Sequence, residues 1–106
     1  MKTITFAVPC YKDHCVETLL ACGEDIEILL VDDGSTKDDT AAICDRWQNE
    51  YPDIVRAIHQ PNKGHGGAVN TGLAHATGFY FKVVDSDDWL DPAAMFPLTV
   101  YLRSQL

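Results

Sequence analysis

Apolar and polar residues fall in blocks along this chain, and the period within each block separates strands from helices. Thr3 to Val8 is a short β-rich apolar run that Pro9 stops. From His14 to Cys22 the spacing turns helical, with Val16, Leu19 and Leu20 on one face and Gly23 as the stop. Ile26 to Val31 (IEILLV) is almost continuously apolar, as suits a parallel strand buried on both faces, and Asp32-Asp33-Gly34-Ser35 is expected to break it. A second helix is expected to begin near Thr36 to Asp39, where hydroxyls and carboxylates can cap free N–H groups. Its apolar positions Ala42, Ile43, Trp47 and Tyr51 fit one face, and Pro52 ends it. Ile54 to Ile58 reads as a third strand, and Gln60 to Gly67 (QPNKGHGG) as a loop by composition. Ala68 to Ala76 reads as a third helix closed by Gly78. Phe79 to Val84 (FYFKVV) is a fourth strand that runs into Asp85-Ser86-Asp87-Asp88, and a last helix is expected from about Pro92.

This βαβαβαβα order predicts an α/β fold with a mainly parallel sheet, helices on both faces and right-handed crossovers. With 106 residues there is room for one domain, spanning 1–106. The chain stops inside an apolar helical pattern with no cap, so it is expected to be the first part of a longer protein.

Composition narrows the function. Apolar residues make up 46% and charged residues 23%, near the globular average, which argues against a disordered chain. The net charge of −8 repels phosphate backbones and anionic lipid, so nucleic acid is not an expected partner. A small anionic ligand stays open, because a divalent cation can invert the local charge. No apolar run approaches the roughly 18 residues of a membrane helix, and the N-terminus makes a poor signal peptide. Cys10, Cys15, Cys22 and Cys44 form no CxxC pair. They are expected to be reduced and mostly buried thiols of a cytoplasmic protein.

The chemistry-bearing residues gather at the expected carboxyl ends of the strands, where open α/β sheets bind ligands. These are Pro9-Cys10-Tyr11, Asp32-Asp33-Gly34-Ser35, Asn62-Lys63-Gly64-His65-Gly66-Gly67 and Asp85-Ser86-Asp87-Asp88. Three carboxylates within four residues repel one another unless a cation joins them. Mg²⁺ or Mn²⁺ held by one or two carboxylates, with phosphates and water completing the shell, would do so, and a solvated acidic turn is the plainer alternative. Asp32 and Asp33 suit either a helix cap or an acceptor for hydrogen bonds from a base or ribose. The glycines before the third helix suit either an anion at a helix N-terminus or a tight turn, and they do not complete a dinucleotide fingerprint because Val69 stands where Gly or Ala is wanted. His14, His59, His65 and His75 share no ligand spacing, and only His65, in the glycine loop, stands out. Trp47 reads as core. Trp89 and Tyr11 suit either a site wall or packing.

The segments VPCY, VDDGST, NKGHGGAVNTGL and VVDSDDW, in this order and spacing, resemble the nucleotide-binding half of family 2 glycosyltransferases of the GT-A fold. The resemblance runs from Ile4 to about Pro92. It implies a Rossmann-like three-layer sandwich and a metal-dependent, inverting enzyme acting in cell-envelope polysaccharide synthesis. The donor would be a nucleoside diphosphate sugar, most often a UDP-sugar, and the acceptor a glycan or lipid-linked sugar. It implies that Pro9, Cys10 and Tyr11 border the nucleoside pocket and that Asp33 holds the base. Lys63, Gly67 and Ser86 join the nucleotide contacts. Asp85-Ser86-Asp87 matches the DxD motif, with Asp87 as direct ligand of Mn²⁺ or Mg²⁺ and Asp85 near the ribose or the metal. Asp88 shares either role. Many relatives carry Arg-Asn where this chain has Val69-Asn70, so a cationic phosphate contact is either missing or supplied by Lys63 or His65. The family's general base lies beyond the DxD and is expected past Leu106, so the chain alone is expected to bind donor without efficient turnover. The whole protein is then expected in the cytoplasm or at the inner face of the membrane.

Two other functions share parts of the pattern. A receiver domain phosphorylated on Asp also has an acidic pair and Mg²⁺ at strand ends, but its pair follows the first strand. A haloacid dehalogenase-type phosphatase has a similar nucleophile strand, but wants Thr or Val where Trp89 stands. An EF-hand is excluded, since counting from Asp85 puts Trp89 at position five and Phe96 at position twelve.

Overall fold

The computed structural model describes residues 2–8, 13–21, 23, 25–34, 40–61, 64–84 and 101–106, with the side chains of 13–15, 18, 33, 40, 64 and 65 outside that description. Strands β1 (Ile4–Val8), β2 (Ile26–Asp33), β3 (Val55–Gln60) and β4 (Tyr80–Val83) alternate with helices α1 (Asp13–Leu20), α2 (Thr40–Glu50) and α3 (Gly64–His75). The strands form one sheet in the order β3-β2-β1-β4, and all three pairings are parallel. This is the expected α/β fold.

Strand alternation divides the sheet into two faces. One carries Ile4, Phe6 and Val8 of β1, Ile26, Ile28 and Leu30 of β2 and Val55 of β3, packed with Val16 and Leu19 of α1 and Cys44 and Trp47 of α2. The other takes α3. A Cβ built on Gly72 of that helix would meet the side chains of Ala7, Val31 and Phe81. Glycine at 72 therefore lets helix and sheet approach more closely than any side chain permits.

The second face also holds buried polar groups that the hydrophobic pattern did not announce. Thr5 and Glu27 are register partners, and the Thr5 hydroxyl donates to Oε1 of Glu27 at 2.9 Å. The same hydroxyl accepts the Gly78 amide at 2.9 Å, and Oε1 of Glu27 accepts the Thr77 amide at 2.9 Å. Arg56 stands 3.6 Å from the other Glu27 oxygen. The α3–β4 turn is thus fastened to the sheet by charge-assisted bonds, which satisfy the buried carboxylate. At the amino end of β1, the Thr3 hydroxyl bonds Asp25, and Arg103 reaches both residues from helical positions 101–104.

Three sequence expectations need correction. β2 does not break at Asp32 but runs through Asp33, because its pairing with β3 continues as Asp32↔His59 and Asp33↔Gln60. α3 starts at Gly64 rather than Ala68, so 64–67 form its first turn and not a loop. The poor helix propensity of those glycines is overridden by the packing of Ala68 and Gly72. On α2 the buried positions are Cys44 and Trp47, while Ala42 is exposed and Tyr51 lies past the helix end, stacked on Trp47 with ring centroids 5.9 Å apart. The part of the last expected helix from Pro92 to 100 lies outside the described residues.

Candidate functional site at the carboxyl edge of the sheet

The register sets a step at the carboxyl edge. Ala7 is level with Val83, and the Val84 amide donates to the Ala7 carbonyl at 2.9 Å, so β1 and β4 end together. Val8, the last residue of β1, is level with Leu30. β2 and β3 continue for three more residues, through Asp33 and Gln60. At roughly 3.3 Å per residue they overhang the β1/β4 floor by about 10 Å. Val8 and Val84 are buried in that floor. β1 leads into α1 and β2 on one side, while the chain reaches β4 through α3 on the other, so β1 and β4 flank the switch point where such sheets bind ligands.

The overhang carries the acidic pair and a histidine. Asp32 is buried, and its Oδ2 lies 2.8 Å from Nδ1 of His59. Nε2 of His59 lies 2.7 Å from Oδ1 of Asp45 on α2. An imidazole whose two nitrogens both face carboxylates satisfies both only when it carries two protons and a positive charge. The hydrogen bonds to Asp45 and then Asp32 raise the His59 pKa above its ordinary value, against a smaller opposing effect of burial. Sequence spacing gave His59 no prominence. The available signal was its place just past Ile58, the expected end of the third strand; its pairing with Asp32 is long-range and spacing alone does not reveal it.

Asp33 is the last residue of β2 and the register partner of Gln60. Gly67 sits in the first turn of α3, and the Thr71 hydroxyl lies 3.0 Å from its carbonyl oxygen and 2.5 Å from the acceptor Oε1 of Gln60. A Cβ on neighbouring Gly66 would meet open space among the described residues. Positive φ does occur at Gly34, at 77°, directly after β2, where a residue without Cβ turns the chain off the strand. The other expected site residues, Pro9, Cys10, Tyr11, Lys63, Asp85, Ser86 and Asp87, lie outside the described residues, as do Asp88 and Trp89. In the chain, Pro9 follows directly on Val8, and Asp85 directly on Val84.

Among the described residues no three His, Cys, Asp or Glu side chains cluster as metal ligands. The Asp85-Ser86-Asp87-Asp88 segment offers hard oxygen donors, the set that Mg²⁺ and Mn²⁺ prefer. The described residues border two shallow depressions. One, of about 590 Å³, runs between the end of β3 and α3, bordered by His59, Gln60, Gly67 and Thr71 among others. The second, of about 500 Å³, opens at the amino end of β3 beside Lys2, Tyr51 and Asp53. Among the described residues, Gly67 is the expected nucleotide contact that borders the first of them. No helix among the described residues is long and apolar enough to cross a membrane.

Comparison with known proteins agrees with the motifs. Glycosyltransferase GlyG of Streptococcus pneumoniae is 44% identical over 94 residues, covering 82% of this chain and 31% of that protein. Chondroitin synthase of Escherichia coli is 38% identical over 100 residues, covering 87% of this chain and 14% of the synthase. The structure of the mannosyltransferase PcManGT from Pyrobaculum calidifontis, in complex with GDP-Man and Mn²⁺, superposes with a TM-score of 0.74 at 26% identity, over 91% of this chain and 30% of that one. The chain therefore spans less than a third of the length of each of these relatives. The fold is the Rossmann-like GT-A arrangement that the motifs imply. Residues 4–103 match the model of glycosyl transferase family 2, and the chain belongs to that family.

Proposed function

We propose that this chain is the donor-binding part, residues 1–106, of a metal-dependent inverting glycosyltransferase that uses a nucleoside diphosphate sugar. The observation that carries the reading is the step at the carboxyl edge, with β1 and β4 ending level beneath the overhang of β2. A nucleotide laid across the switch point has its base beside the overhang, next to Asp33, and its diphosphate above the floor from which the Asp85-Ser86-Asp87 segment departs. Pro9, Cys10 and Tyr11 border the nucleoside, and the Asp33 carboxylate accepts hydrogen bonds from the base. Asp85 and Ser86 take the ribose side. Lys63 and the first turn of α3 at Gly67 face the phosphates, where free N–H groups and a cation favour anions.

Asp87, with Asp85, would hold Mn²⁺ or Mg²⁺, which as a Lewis acid stabilises the charge left on the departing diphosphate. The protein's own part is to fix the nucleotide, so that the leaving group is oriented before the acceptor attacks with inversion. PcManGT, with its GDP-Man and Mn²⁺, supports a nucleotide sugar and a divalent ion. A UDP-sugar is our reading for this chain, with a glycan or lipid-linked acceptor in a cytoplasmic setting. We place the general base in the region of the relatives that this chain does not cover. The acidic pair closes β2 and not β1, which counts against a receiver domain.

Calorimetric titration with UDP and with GDP, each with Mn²⁺ and then with EDTA, tests the proposal. Metal-dependent binding of UDP supports it. Equal binding with and without metal, or no binding by folded protein, contradicts it. Tighter binding of GDP corrects the base alone.

A further inference from the structure

We propose that His59 is a positioning residue for the nucleoside end of the site, and that its bonds to Asp32 and Asp45 make nucleotide binding depend on pH. The inference rests on reading Asp33 as the residue that meets the base. Asp33 follows Asp32 on the same strand, so a shift of the backbone at Asp32 carries Asp33 with it. His59 links that strand end to α2, since Nδ1 meets Asp32 at 2.8 Å and Nε2 meets Asp45 at 2.7 Å. The imidazole thus spans three elements, β2, β3 and α2, at the tip of an overhang that β1 and β4 do not support.

The bridge holds in only one protonation state. A neutral imidazole has one N–H, so loss of a proton turns one bond into a lone pair facing a carboxylate oxygen. Among the described residues, the charged and titratable groups around His59 are Asp32 from β2, Asp45 from α2 and His75 of α3, which borders the same depression. Arg46, beside Asp45, has Glu50 at 3.9 Å, and Arg56 reaches Glu27 on the opposite face. His59 exposes 40% of its side chain, so a proton can leave and return without unfolding the strand. Its pKa is raised above the ordinary histidine value by hydrogen bonds to Asp45 and then Asp32.

Titrating UDP and GDP, with Mn²⁺, at pH 6 and pH 8.5 tests this on the wild type, His59→Gln, Asp33→Asn and Thr5→Val. The expected result is that wild-type affinity falls between the two pH values by about fivefold more than in His59→Gln, the lower end of ordinary coupling between sites. Nucleotide and metal titrate alike in every sample, so the difference isolates the imidazole. Thr5→Val, a destabilising change on the other face, is expected to keep the wild-type pH profile. The same profile in His59→Gln as in the wild type would overturn the inference and leave the nucleotide site standing. No binding by the folded wild type would overturn the reading of the site itself, and undiminished binding by Asp33→Asn would move the base away from Asp33 and overturn this inference with it.

Discussion

Gly72 of α3 stands so near Ala7 of β1 that a Cβ added to it would lie 2.8 Å from the Cβ of Ala7. Helix propensity alone would reward Gly72→Ala by about 1 kcal/mol. The neighbour, however, is a buried strand that cannot step back, and overpacking of this kind costs about 1–3 kcal/mol. We expect Gly72→Ala to lower the denaturant midpoint with an unchanged m-value. A higher midpoint would mean that α3 lies farther from the sheet than described.

The Thr5 hydroxyl has two partners in the core, Glu27 and the Gly78 amide. Thr5→Val keeps the shape and removes both bonds. It leaves a half-buried amide and part of a buried carboxylate unsatisfied, at a cost of about 1–3 kcal/mol. Hydrogen exchange at the Gly78 amide is expected to speed up in the variant more than exchange in the middle of β2. Uniform acceleration would show that Thr5 does not hold the turn.

Stability is expected to depend on pH through His59. Its folded pKa is raised above the unfolded value of about 6.5 by Asp45 and Asp32. The bound proton therefore stabilises the fold fully below that unfolded value, down to the carboxylate range, and the contribution is lost as pH rises through the folded value. The gap in melting temperature between wild type and His59→Gln is expected to be widest near pH 5.5 and to close on the alkaline side. A gap that widens with pH would reverse the assignment.

The element order and the buried strands were legible because hydrophobic period records them directly. Phe6, Ile28 and Leu30 announce a core, and each is fully buried. The four motifs carried the family in the same way, since their order along the chain maps onto strand ends. The ends of the elements were less legible. Asp32 and Asp33 look like strand breakers until the pairing with His59 and Gln60 is known, and that pairing joins residues 27 positions apart. The glycines at 66 and 67 look like a loop because propensity does not register the close seat of Gly72 on the sheet. Thr5 and Glu27 are polar residues on neighbouring strands, β1 and β2, joined to each other and to the distant α3–β4 turn, and no local pattern could have paired them.

If Asp33 meets the base, Asp33→Asn is expected to weaken nucleotide binding. A hydrogen bond to a charged acceptor contributes about 1.5–3 kcal/mol, or roughly ten- to a hundredfold in affinity. Calorimetry on the folded variant reads that loss, and a change under twofold would move the base elsewhere on the edge.

Location of the donor at the carboxyl edge is the central claim, and line broadening of backbone amides by Mn²⁺ in the presence of UDP tests it most directly. The account predicts broadening at Val8, Gly34, Gly66 and Val84, reversal by EDTA and loss in Asp87→Ala. Lys2, Tyr51 and Ile54, at the amino end of the sheet, are expected to stay sharp. Broadening centred on that opposite end, or unchanged in Asp87→Ala, would contradict the account.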